Sequence, residues 1–229
     1  MKNRLSLLFA LLIGLSLAFI LQAGEVSQKG ARIGQWTQDY SAALALAKEK
    51  NLPVFLNFTG SDWCSWCQLM DRRVFSQPQW DAFAAEKMVL VTLDFPRNQA
   101  LVPADFAERN RRLQGEFGVQ GYPTYIILDA DGQTVLGQLG ASKEATAEDF
   151  IDQVESVIRF SEGEIAKKLK SLSPEDAQRY SALLASFQNT QGELMSWLNT
   201  QPQRTPENEA KFKNFVDRLE AMEMQLDGF

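Results

Sequence analysis

The 229-residue chain contains no histidine. That absence removes Ser-His and Cys-His hydrolytic pairs, zinc sites of mixed Cys and His, and most copper or haem ligation. Cysteine occurs twice, at Cys64 and Cys67. Two thiolates do not complete a tetrahedral zinc site unless a second chain or carboxylates join them. Gln68 follows Cys67 where c-type haem attachment needs histidine. No cofactor and no metal is therefore expected. Basic charge is also short, with 23 Lys and Arg against 29 Asp and Glu for a net charge of −6. There is no basic stripe, which argues against nucleic acid as a partner, because that binding neutralises phosphates with Lys and Arg. What remains is ordinary globular composition, 45% apolar and 23% charged, in a chain long enough for one buried domain and an accessory segment.

The first residues stand apart. Lys2 and Arg4 precede an uncharged apolar run over residues 5–21 that ends at Gln22-Ala23-Gly24. This is the layout of a signal peptide covering residues 1–24. The run lies between a usual signal core of about 7 to 15 residues and the roughly 20 of a membrane span, so an uncleaved N-terminal anchor is the alternative. No later stretch could span a bilayer. Cleavage would remove two of the 23 basic residues and leave a net charge of −8, a soluble acidic surface.

Both cysteines lie in one C-x-x-C, in a chain read as exported to a compartment where disulfides persist. A structural bridge usually closes a long loop. The four-residue loop here removes chain entropy equivalent to only about 2 kcal/mol, against about 3 for a 15-residue loop, and a domain of this size hardly needs it. Spacing and compartment together point to a redox-active pair.

Along the chain, residues 40–50 place Ala43, Leu44 and Ala47 on a helical face closed by Lys48 and Lys50. Pro53 opens a short apolar run to Phe58, the pattern of a buried strand. Thr59-Gly60-Ser61-Asp62 breaks it. Leu69, Met70, Val74 and Phe75 then recur at helical spacing, so the C-x-x-C opens a helix. A short helix around Trp80 and Phe83, a second buried strand over 88–95, and a helix over 103–117 follow. Residues 124–128 and 133–139 read as a β-hairpin about the Asp131-Gly132 turn. A helix over 143–160, with Phe150, Val154, Val157 and Ile158 inward, closes a compact domain over residues 25–160.

Residues 161–229 contain no strand-like run. Ser173-Pro174-Glu175 and Thr205-Pro206-Glu207 each combine an N-cap, a first-position proline and acid in the first turn. The stripes Tyr180, Leu183, Leu184, Phe187, Leu194, Leu198 and Phe212, Phe215, Val216, Leu219, Met222, Leu226 predict a helical hairpin. It either packs on the main domain or serves as an arm for substrate docking or for a homodimer through these helices.

A strand, Trp63-Cys64-Ser65-Trp66-Cys67 at a helix start, a strand, a helix, and Gly121-Tyr122-Pro123-Thr124 opening a hairpin before a final helix resemble the thioredoxin superfamily over residues 36–160. Phe58 through Cys67, with Val74-Phe75, look most like exported bacterial thioredoxin-like proteins, including periplasmic thiol reductases of the DsbH type. The resemblance implies an α/β thioredoxin fold, a central mixed sheet flanked by helices, here with the C-terminal helical hairpin as an extension. It implies a thiol-disulfide oxidoreductase acting on protein or peptide disulfides, and a periplasmic reductase would need a membrane-embedded electron donor.

At a helix start the free N–H groups and the dipole stabilise a thiolate, which is the attacking species. Cys64 is therefore the expected nucleophile, and Cys67, one turn deeper, resolves the mixed disulfide. Trp63 and Trp66 either form an apolar rim for an extended substrate or are ordinary packing residues. Pro123 matches the family's cis-proline, with Tyr122 supplying backbone to substrate. The chain departs from the family where a buried carboxylate handles the resolving cysteine's proton. Asn57 stands there, and the position of the family's usual lysine partner falls near Thr92, leaving water, Asp62, Asp94 or Glu116 for the task. Ser65-Trp66 carries no cation and Asp62 has the wrong sign to stabilise a thiolate, so a reducing or weakly isomerising protein is expected. The alternatives are a non-catalytic, chaperone-like binding module and a metal-thiolate protein.

Overall fold

A computed structural model describes residues 26–229. The expected signal peptide or anchor lies outside them. Among the described residues no helix is long and apolar enough to cross a membrane. The chain divides into two compact units, the second beginning at Arg159.

The first unit is built on five strands: β1 (Trp36–Thr37), β2 (Val54–Thr59), β3 (Val89–Asp94), β4 (Thr124–Leu128) and β5 (Val135–Gly140). Their order in the sheet is β1-β3-β2-β4-β5. β3 runs parallel to β1 and β2, whereas β4 is antiparallel to both β2 and β5. This is the mixed sheet of a thioredoxin fold. Five helices flank it: α1 (Tyr40–Lys50), α2 (Ser65–Met70), α3 (Pro78–Lys87), α4 (Ala104–Glu116) and α5 (Ala147–Ile158). A π-helical turn, Asp71–Phe75, extends α2.

Alternation along the strands sends successive side chains to opposite faces. Phe55 and Tyr125 face one side with Met70, Phe75, Trp80 and Phe150 from the helices. Leu56, Phe58, Val91 and Ile126 face the other with Ala43, Ala47 and Leu113. Asn57 and Thr92 are opposite each other on neighbouring strands and share the parity of Phe55 and Leu90. They therefore lie on the face that α2 covers. Asp39 caps α1, accepting from the amides of Ala42 at 3.1 Å and Gly30 at 2.9 Å. At Gly34 the backbone is left-handed and an added Cβ would come within 2.4 Å of the Ala85 backbone, so glycine is needed to let the chain approach α3.

Two details differ from the sequence expectation. β1 is only two residues long and lies inside a polar lead, too short for a periodic signal. The helix expected from residue 143 starts at Ala147, because Thr146 and Asp149 exchange backbone-to-side-chain hydrogen bonds there as a reciprocal cap.

The second unit holds three helices, α6 (Glu162–Ser171), α7 (Pro174–Asn199) and α8 (Pro206–Asp227). The last two form the expected hairpin, and α6 is additional. Ser161, Ser173 and Thr205 cap them. Tyr180, Leu184, Phe187 and Leu226 are the buried centre of this unit. Arg159 pairs with Glu223 and Asp227 of α8. Farther along the hairpin the stripes do not close: Leu198 is 38% exposed and Phe212 44%.

Candidate active site

Thr59 ends β2, and the turn that follows is set by side chains from the neighbouring strand. Asp94, at the end of β3, accepts from the Ser61 amide at 2.9 Å and from the Ser61 hydroxyl at 2.6 Å. Asp62 accepts from the amides of Arg97 at 2.9 Å and Asn98 at 2.8 Å. Those amides, Asn98 first, hold its carboxyl below the usual aspartate range. Loop 60–63 is thus pinned to the loop after β3.

Cys64 is the N-cap of α2 and Cys67 lies in its first turn. The two form a disulfide with Cα atoms 5.2 Å apart, and the Cys67 amide donates to Cys64 Sγ at 3.1 Å. This is the geometry in which a helix N-terminus stabilises negative charge on sulfur. Both cysteines are 5% exposed. Thiol-disulfide exchange is the chemistry this arrangement can perform.

Trp63 is held edge-on to Tyr122, with ring centroids 5.7 Å apart, and its indole N–H donates to the Phe95 carbonyl at 2.8 Å. The Arg97 guanidinium lies 5.6 Å from the Trp63 ring centroid. The indole covers Gly60 so closely that an added Cβ would come within 2.5 Å of it. The Tyr122–Pro123 bond is cis, as the resemblance implies. Trp63, Cys64, Tyr122 and Pro123 are thereby brought to one end of the sheet. Trp66 is not part of this cluster. It is 45% exposed and, among the described residues, makes no aromatic contact.

A cavity of about 400 Å³ opens behind Cys67. Cys67, Asn57, Thr92, Trp36, Asp71 and Asp81 line it. Asn57 Oδ1 is buried there without a protein hydrogen bond. Neither Asp62 nor Asp94 lines it, since each is engaged in the loop contacts above, and Glu116 acts on Tyr40 at α1. The carboxylate nearest in sequence to Cys67 on this cavity is Asp71, which the sequence reading did not weigh. Its signal was the four-residue spacing from Cys67, which puts both on one helical face. Desolvation raises the Asp71 carboxyl above the ordinary aspartate value, with Arg72 opposing, although the residue is solvent-exposed. Desolvation raises Asp81 as well. Among the described residues no group of three or more His, Cys, Asp or Glu could hold a metal ion.

The fold and the disulfide at its helix start define a thiol-disulfide oxidoreductase. Residues 35–130 match the thioredoxin-like family model. The disulfide bond reductase DsbH of Chlamydia pneumoniae is 30% identical over 126 residues, which cover 55% of this chain and 74% of that protein. The thioredoxin-related protein DsbJ of the same organism is 26% identical over 183 residues, 78% of this chain, and the chain spans 50% of its length. A solved DsbH oxidoreductase superimposes with a TM-score of 0.51 at 30% identity, covering 60% of this chain and 95% of that one. The chain belongs to the thioredoxin superfamily, in its thioredoxin-like family, and is DsbH-like within it.

Proposed function

We propose that this protein is exported and reduces protein disulfides. The observation that carries the reading is the Cys64–Cys67 pair at the start of α2, with Cys64 Sγ in reach of a helix-terminal N–H. In this mechanism the Cys64 thiolate attacks a substrate disulfide and forms a mixed disulfide, expelling one substrate thiolate. Cys67 then attacks Cys64, releasing the second substrate sulfur and leaving the Cys64–Cys67 disulfide. Trp63, Tyr122 and Pro123 receive the substrate polypeptide, the exposed Trp66 offers it separate apolar surface two residues from Cys64, and a membrane-embedded electron donor returns the pair to the dithiol.

The reducing direction is supported by the charges around Cys64. A strong oxidant needs a much stabilised thiolate. Ser65 and Trp66 are uncharged, Arg97 near Trp63 is opposed by the ionised Asp62, and the Arg73 guanidinium donates to the Lys143 carbonyl at 2.7 Å. Export is supported by the layout of residues 1–24 and is tested by the N-terminal sequence of the mature protein. A homodimer through the C-terminal helices is supported by the exposed Met195, Leu198 and Phe212. Equilibration with a glutathione redox buffer tests the direction: the expected potential lies between about −270 and −200 mV, and a value near the strong-oxidant level of about −120 mV contradicts it.

A further inference from the structure

Resolution requires Cys67 to lose a proton, because a thiol does not attack a disulfide. An ordinary thiol, with a pKa of about 8.5, is little ionised at neutral pH. The proton needs an acceptor on the side of Cys67 away from substrate. Asn57, which faces that side, does not titrate.

We infer that Asp71 accepts the Cys67 proton through water in the cavity that both residues line. At about 400 Å³ the cavity is large enough for several waters, and Asn57, Thr92 and Asp71 put polar groups on walls that are more apolar than polar. Asp71 sits one turn beyond Cys67, and its own amide donates to the Cys67 carbonyl, which fixes the two residues on consecutive turns. The π-helical turn starts at Asp71, with the Ser76 amide donating to its carbonyl at 2.8 Å. The charged and titratable groups around it are Arg72 beside it, Asp81 of α3 on the same cavity, and Tyr125 of β4, which feels its charge. Desolvation raises the Asp71 carboxyl above the ordinary aspartate value and Arg72 opposes it.

In the mixed disulfide the Cys67 proton passes to the Asp71 carboxylate, and the Cys67 thiolate attacks Cys64 Sγ. The Cys64–Cys67 bond forms as the bond from Cys64 to the substrate sulfur breaks, and that sulfur leaves with the electron pair. Asp71 gives its proton to the departing thiolate or to solvent. Two electrons pass from the protein dithiol to the substrate disulfide.

The inference rests on the attacking and resolving roles proposed for Cys64 and Cys67. Stopped-flow reaction of the reduced protein with 5,5′-dithiobis(2-nitrobenzoate) separates them, since attack by Cys64 releases the first thionitrobenzoate and resolution by Cys67 the second. Asp71→Asn should leave the first phase within about twofold. It should slow the second by about 10- to 100-fold near pH 6.5. The gap should close toward pH 9, where an ordinary thiol ionises unaided. Asp71→Glu should restore most of the rate, and Asp81→Asn should change it less than about threefold. A second phase in Asp71→Asn with wild-type rate and pH profile overturns the inference, as does a greater loss in Asp81→Asn. Survival of the fast first phase in Cys64→Ala would instead overturn the role assignment, and this inference with it.

Discussion

Trp63 stands edge-on to Tyr122, with ring planes at 87°. This contact joins the residue before the redox pair to the residue before the cis-proline, segments separated by some sixty residues of chain. An aromatic pair of this kind is worth about 0.5 to 1.5 kcal/mol beyond its buried area. If the pair forms the floor on which a substrate polypeptide lies, Trp63→Ala should lower kcat/KM for a protein disulfide by about 5- to 10-fold. A small aromatic disulfide should be affected less than twofold. Steady-state rates on the two substrates check this, and equal losses on both would remove the docking role.

Gly60 sets the position of that indole. A methyl group there would come within 2.5 Å of the Trp63 ring, so Gly60→Ala must displace the ring and break its hydrogen bond to the Phe95 carbonyl. The expected destabilisation is about 1 kcal/mol from the lost hydrogen bond. The indole N–H resonance of Trp63 should shift by NMR. Urea denaturation and that resonance, assigned from Trp63→Phe, give the answer.

Asp39 is one acid-sensitive element of the sheet-bearing unit. Backbone N–H groups of Gly30 and Ala42 lower its carboxyl pKa, with Arg109 adding to the effect. A folded-state pKa below the unfolded value means that the contribution is present above the unfolded pKa of about 3.9 and fades as pH falls through the folded pKa. Asp39→Ala should destabilise by about 1 kcal/mol at pH 7. The difference should shrink steadily below about pH 4. Denaturant titrations at pH 7 and pH 3 test this, and an equal gap at both would contradict it.

How far the sequence carries depends on whether a signal is local. β2 was legible because Pro53 begins a short apolar run that only Asn57 interrupts, and α2 because Leu69, Met70, Val74 and Phe75 recur at helical spacing. Pro123 was legible only through the thioredoxin resemblance. β1 escaped because two residues have no period. The extra helix α6 did carry an N-cap, acid in its first turn and lysines in its last, but its apolar stripe is short, Ile165 and Leu169, and its packing is what reveals it. Asp71 was hidden for another reason: a carboxylate four residues after a cysteine acquires meaning only when β2 and β3 bring Asn57 and Thr92 around the same cavity. Asp62 and Asp94, the candidates the sequence offers, are held by the amides of Arg97, Asn98 and Ser61.

The hairpin of the second unit carries the homodimer reading. Met195 is 57% exposed, Leu198 38% and Phe212 44%, so Leu198→Glu with Phe212→Glu removes apolar surface without touching Tyr180, Leu184 or Phe187. Light scattering should give twice the chain mass for the wild type and the chain mass for the double variant. A monomeric wild type would end the dimer reading.

The assignment of attack to Cys64 and resolution to Cys67 is tested most directly by trapping. Cys67→Ala, produced in cells and quenched in acid, should carry substrate proteins in reducible mixed disulfides on Cys64, identified by mass spectrometry. Cys64→Ala should carry none. Absence of adducts on Cys67→Ala, or the same adducts on Cys64→Ala, would contradict the account.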